Sequence, residues 1–129
     1  MTVTNTLCLL SKLDEVDPVL ARSSSRPILI FKHSSTCGVS AEAYGEIEAL
    51  LAGPPLSTDV YLVDVRAARP VSNAIAARLE IRHESPQVLL VDRGRVRWSA
   101  SHFRVTARAL RAELTPLTPL RVPADEVQR

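Results

Sequence analysis

Ile28-Leu29-Ile30-Phe31-Lys32-His33-Ser34-Ser35-Thr36-Cys37-Gly38-Val39-Ser40 is the stretch that decides the fold. Its first four residues form a continuous apolar run behind Pro27, the signature of a strand buried on both faces. His33 to Thr36 is polar and reads as a loop. From Cys37 the period changes: Val39, Ala43, Ile47 and Leu50 fall on one helical face, with Glu42, Glu46 and Glu48 mostly off it. Gly53-Pro54-Pro55 stops that helix. A buried strand thus runs through a short polar loop into a helix, and a cysteine stands at the helix start.

Working outward, Val60 to Val65 is a second strand, and Pro70 opens a helix whose apolar face carries Val71, Ile75 and Leu79. Gln87 to Val91 and Arg95 to Ser99 are strands joined by a tight Arg93-Gly94 turn. Thr106 to Leu114 is a last helix. Upstream, Leu13, Val16, Val19 and Leu20 recur at helical spacing, with Ser11 as N-cap or with the helix starting at Pro18. The two central strands, joined through a helix, should be parallel, and the last two form an antiparallel hairpin. The expected fold class is α/β: a four-stranded mixed sheet flanked by helices on both faces. Residues 1–10 read as an N-terminal arm or short strand, 11–114 as the domain, and 115–129, with three prolines, as an extended tail.

Composition narrows the function. The 129 residues are 46% apolar and 23% charged, with net charge +2, ordinary for one globular domain and too weakly basic to point to nucleic acid or an anionic membrane. No apolar run approaches the ~20 residues that span a bilayer, and the first ten residues do not form a convincing signal peptide. A cytoplasmic, reducing location follows as the default, and two cysteines cannot make a disulfide scaffold. Cys8, within Leu7-Cys8-Leu9-Leu10, reads as a buried structural cysteine.

Cys37 reads differently. The first turn of a helix has unpaired amides and a partial positive charge, which stabilise a thiolate and lower its pKa from about 8.5 toward ~3.5–7.5. The thiolate is the attacking species in disulfide exchange. Ser40 stands where the second cysteine of a Cys-x-x-Cys motif would be, and its hydroxyl could donate to the sulfur; a single-cysteine mechanism follows. His33 can hydrogen-bond in the loop or support the thiolate. The spacing of His33, His83 and His102 with Cys37 matches no zinc template, and no metal is expected. Arg93, Arg95 and Arg97 read as a solvated face guarding an edge strand.

Ala77-x-Leu79-x-Ile81-Arg82, then Pro86, an apolar strand, Gly94 and another strand resemble the thioredoxin fold. More specifically, Phe31-Lys32-His33-Ser34, Thr36-Cys37 through Ser40, Leu62-Val63-Asp64-Val65, Arg82-His83-Glu84-Ser85-Pro86-Gln87 and Trp98-Ser99-Ala100-Ser101-His102 together resemble the monothiol bacilliredoxin family, over about residues 11 to 113. The resemblance implies that Cys37 is the redox cysteine and that Thr36, Gly38, Val39 and Ser40 complete the active loop. It implies that Ser85-Pro86 is a cis-proline element facing Cys37. Bacillithiol would be the co-substrate, and the partners would be S-bacillithiolated client proteins, a low-molecular-weight thiol and a reductase, with the chain a monomer. Lys32, Arg66 and Arg82 are the candidate charge partners for that thiol's malate. The family usually has proline and isoleucine where this chain has Gly38 and Val39. Cys37-Gly38-Val39-Ser40 thereby also resembles the Cys-Gly-Phe-Ser loop of monothiol glutaredoxins, which implies an alternative, an iron–sulfur cluster carrier. A redox-inert interaction domain of the same fold is the third possibility.

Overall fold

A computed structural model describes residues 5–34 and 38–114. Ser35, Thr36, Cys37 and the tail from Thr115 lie outside the described residues. One five-stranded sheet carries the fold. Its strands are β1 (Leu7–Leu9), β2 (Ile28–His33), β3 (Asp59–Asp64), β4 (Gln87–Asp92) and β5 (Arg95–Ser101), in the order β1-β3-β2-β4-β5. β2 runs parallel to β3 and antiparallel to β4; β4 and β5 form the antiparallel hairpin. The expected thioredoxin-like α/β arrangement is therefore present, with one correction: the sheet has five strands, not four. The fifth is β1, parallel to β3 with Cys8 opposite Tyr61. Three residues are too few to show a period, so only pairing with β3 makes this segment a strand. Because β1 is an edge, Cys8 is exposed, and the expectation of a buried cysteine there is overturned.

Among the described residues four α-helices cover the sheet. α1 (Val16–Arg22) and α3 (Arg69–Leu79) pack with Ile28, Ile30, Tyr61, Val63, Leu89 and Val91 on one face. α2 (Gly38–Leu51) and α4 (Ala107–Leu114) pack with Leu29, Phe31, Val60, Val88 and Leu90 on the other. Alternate residues of each strand feed opposite cores, and Ile28 through Phe31 are all fully buried, as a central strand requires. α1 follows a 3₁₀ turn, Leu13–Glu15, whose Glu15 Oε1 accepts the Ser11 and Lys12 amides at 3.4 and 3.1 Å. Pro18 falls in its first helical turn, where no N–H is needed. α4 starts one residue later than expected because Thr106 is its cap: Oγ1 accepts the Ala109 amide at 3.1 Å. The β4–β5 turn has φ of 53° at Arg93 and 77° at Gly94, the left-handed pair that suits a two-residue hairpin.

Candidate functional site

The parallel strands β2 and β3 end side by side at His33 and Asp64, and β4 starts beside them, with Gln87 opposite Lys32. Three connections meet at this end of the sheet: the one from β2 to α2, the one from β3 to α3, and the one from α3 to β4. The sequence places Cys37 in the first of them, directly before Gly38, the first residue of α2. Thr36 and Cys37 themselves lie outside the described residues.

Consecutive residues at the end of β2 point to opposite faces. His33 lies toward α2, its ring 5.6 Å from that of Phe31 and 5.0 Å from that of Tyr44. Its Nδ1 is buried and has no hydrogen-bond partner among the described residues. Burial lowers the imidazole's pKa below its ordinary 6.5, against the opposing pull of Asp64 and of the nearby Ser40 backbone. Ser40 is fully buried in the first turn of α2, and its Oγ accepts the Ser34 amide at 3.2 Å. That contact ties the end of β2 to the first turn of α2, and among the described residues it leaves the Ser40 hydroxyl hydrogen available to donate. Val39 is half-buried and Gly38 exposed; a Cβ at Gly38 would meet nothing within 4 Å.

On the opposite face Lys32 is wholly buried. Its Nζ donates to the Ser72 carbonyl at 3.0 Å and lies 3.3 Å from His83 Nδ1. Burial lowers its pKa from 10.5 to about 8, and no carboxylate pairs with it among the described residues. The expectation of Lys32 as a ligand-facing cation does not match this environment, because its ammonium is spent on internal partners. Arg66 and Arg82 are exposed, in the connections on either side of α3. The Arg66 amide donates to Asp64 Oδ1 at 3.1 Å, and the Arg82 carbonyl accepts from Gln87 Nε2 at 3.1 Å.

The Ser85–Pro86 peptide bond is cis. Pro86 is buried and its carbonyl accepts the His102 amide at 2.9 Å. Ser85 Oγ is the second buried polar atom with no hydrogen-bond partner among the described residues. Glu84 steadies the same connection, accepting from Ser101 Oγ at 3.2 Å and lying 3.5 Å from His102 Nδ1. Sequence reasoning missed Ser72, His83 and Gln87. Gln87 Oε1 accepts the Glu84 amide at 3.3 Å while its Nε2 reaches Arg82, so one side chain brackets the connection.

A helix start behind a buried parallel strand, next to a cis-proline connection, defines a protein of the thioredoxin fold. Solved structures agree. A candidate oxidoreductase with a thioredoxin fold is 28% identical, with a TM-score of 0.72, covering 84% of this chain and 93% of that one. Thioredoxins from Halobacterium salinarum (a single-site variant; 19% identity, TM-score 0.67, 95% of this chain and 100% of that one) and Malassezia sympodialis (17%, 0.70, 92% and 96%) share the fold. The sequence model of the family described as monothiol bacilliredoxin BrxC matches residues 9–110. The chain belongs to the monothiol bacilliredoxin family, which gives it a redox role. Among the described residues no helix is long and apolar enough to cross a membrane.

Proposed function

We propose that this chain is a monothiol thiol–disulfide oxidoreductase that removes bacillithiol from S-bacillithiolated proteins through Cys37. The observation that carries the reading is the family match over residues 9–110, with Cys37 directly before a 14-residue helix and serine, not cysteine, three positions on. The Cys37 thiolate attacks the bacillithiol sulfur of the mixed disulfide. The client's sulfur leaves as a thiolate and takes a proton from water, and Cys37 keeps the bacillithiol as a new disulfide. A second bacillithiol thiolate then attacks that bond, frees Cys37 and leaves as oxidised bacillithiol, which a reductase returns to the thiol. No electrons are gained or lost overall in either exchange.

The surrounding residues take roles their chemistry suits. The N-terminus of α2 favours negative charge at Cys37. Ser40 keeps a hydroxyl hydrogen for the sulfur, and Thr36, Gly38 and Val39 shape the loop. His33 supports the thiolate, and Ser85-Pro86 forms one wall of the groove for the incoming disulfide. Arg66 and Arg82, exposed at this end, suit the carboxylates of bacillithiol's malate. A reducing compartment such as the cytoplasm keeps the thiol available. The test is a model protein carrying bacillithiol on one cysteine, incubated with this chain and bacillithiol. The native chain should restore the free thiol; Cys37→Ala should not, and restoration at an equal rate by that variant would refute the reading.

A further inference from the structure

Outside this chemistry, the least expected feature at the same end of the sheet is the polar cluster on the α3 face. Lys32, Ser72 and His83 come from β2, α3 and the connection before Pro86. Lys32 and Ser72 are fully buried, while His83 is exposed. Lys32 Nζ and Ser72 Oγ both converge on His83 Nδ1, at 3.3 and 3.2 Å. A lysine ammonium has hydrogens to give and no lone pair to receive them. For its contact to be a hydrogen bond, Nδ1 must be bare, so His83 is neutral with its hydrogen on Nε2 in this arrangement.

We propose that Lys32, Ser72 and His83 form a proton-operated latch that holds the Arg82-to-Ser85 segment against α3 and β2 while His83 is neutral and releases it when His83 is protonated. A proton on Nδ1 turns that atom into a donor facing the Lys32 donor and sets two cations in contact. Lys32 is enclosed and cannot withdraw; the imidazole is at the surface and can turn into water. Three charged groups among the described residues act on His83. Lys32 from β2 and Arg69 from α3 oppose its protonation, as does its burial, and Glu84 in its own segment favours it. The balance lowers the pKa of His83 below 6.5, so the latch is closed at neutral pH and opens on the acid side. It has no alkaline counterpart, because a neutral lysine amine still donates to Nδ1. Once released, the segment stays tied among the described residues through the Gln87 side chain and through Glu84, which accepts from Ser101 Oγ and lies beside His102 Nδ1. Lys32 and His83 are therefore positioning residues for the segment leading into Ser85-Pro86. That opening it slows exchange at Cys37 rests on the proposed function; the latch itself does not.

The test uses the full chain, with the histidine side-chain nitrogens and the backbone amides followed by NMR from about pH 5 to about pH 8. His83 Nδ1 should be unprotonated at neutral pH with a midpoint below 6.5, and Lys32→Met should raise that midpoint. Amide exchange at His83, Glu84 and Ser85, corrected for its intrinsic pH dependence, should rise roughly tenfold across the same midpoint, the scale of losing one or two hydrogen bonds. His83→Gln, whose side-chain oxygen accepts without titrating, should abolish that step. An Nε2-bare His83 at neutral pH, a midpoint unmoved by Lys32→Met, or an exchange step that survives His83→Gln would each overturn the latch. A chain without thiol exchange at any pH would refute the functional reading and leave these measurements unaffected.

Discussion

Lys32→Met gives the sharpest energetic prediction, because Lys32 is a wholly buried ammonium with no carboxylate beside it among the described residues. Its pKa falls from 10.5 to about 8 on folding. At about 1.36 kcal/mol per tenfold change in proton affinity, the folded protein carries a penalty of about 3 kcal/mol when the lysine is charged in both states. The sign follows from linkage. Above the unfolded value the amine is neutral folded and unfolded, and the penalty is absent; as pH falls through the folded value it becomes complete. From about pH 7 to about pH 9 the native chain should regain about 1 kcal/mol from this group alone. Methionine fills the same volume without charge, and its unbranched chain adapts to the cavity. It leaves the Ser72 carbonyl inside its helix and His83 open to water. Urea titrations of the two chains, with both thiols reduced, isolate the effect as a double difference in which other titrating groups cancel. Lys32→Met should be favoured over the native chain by about 1 kcal/mol more at the lower pH than at the higher. A gap that does not change with pH would refute the argument. So would a gap of opposite slope, which would mean that an acidic partner holds the ammonium.

Ser40→Ala removes the hydroxyl that accepts the Ser34 amide and should cost about 1 kcal/mol in urea unfolding while slowing alkylation of Cys37 at neutral pH. Gly38→Ala meets no neighbour and restricts the unfolded chain, so it should raise stability by about 0.5–1 kcal/mol, read as a higher melting temperature. His33→Phe keeps the ring stack with Phe31 and Tyr44 and removes a buried nitrogen that has no hydrogen-bond partner among the described residues. It should leave stability unchanged or higher, while lowering the reactivity of Cys37 measured by iodoacetamide kinetics. Asn5→Ala deletes side-chain bonds to the Leu51 and Pro54 carbonyls and the Leu56 amide, and should destabilise the chain by about 1–3 kcal/mol by the same urea titration.

Much of the fold was legible in the sequence, for a physical reason. Central strands are buried on both faces, so Ile28 to Phe31 and Val88 to Val91 had to be continuous apolar runs, and the change of period after Cys37 marked a helix. β1 was legible only as one of two alternatives, arm or short strand, since a three-residue edge strand is made by its partner rather than by its own pattern. The site was harder to read. Strand alternation parts Lys32 and His33 to opposite faces, but nothing local says that a lysine ends in the interior, where lysine is rarely found. Its partners Ser72 and His83 are 40 and 51 positions away and meet it only once α3 is laid on the sheet. The cis bond at Ser85-Pro86 was expected from family resemblance alone, because most bonds before proline are trans.

The central claim is that Cys37 is the exchanging thiol, and intact mass tests it most directly. Reduced chain is incubated with oxidised bacillithiol and, in parallel, oxidised glutathione, beside Cys37→Ala and Cys8→Ala variants. The account predicts one bacillithiol adduct, retained in Cys8→Ala and lost in Cys37→Ala. An adduct that persists in Cys37→Ala and vanishes in Cys8→Ala, or no adduct from either disulfide, would contradict it.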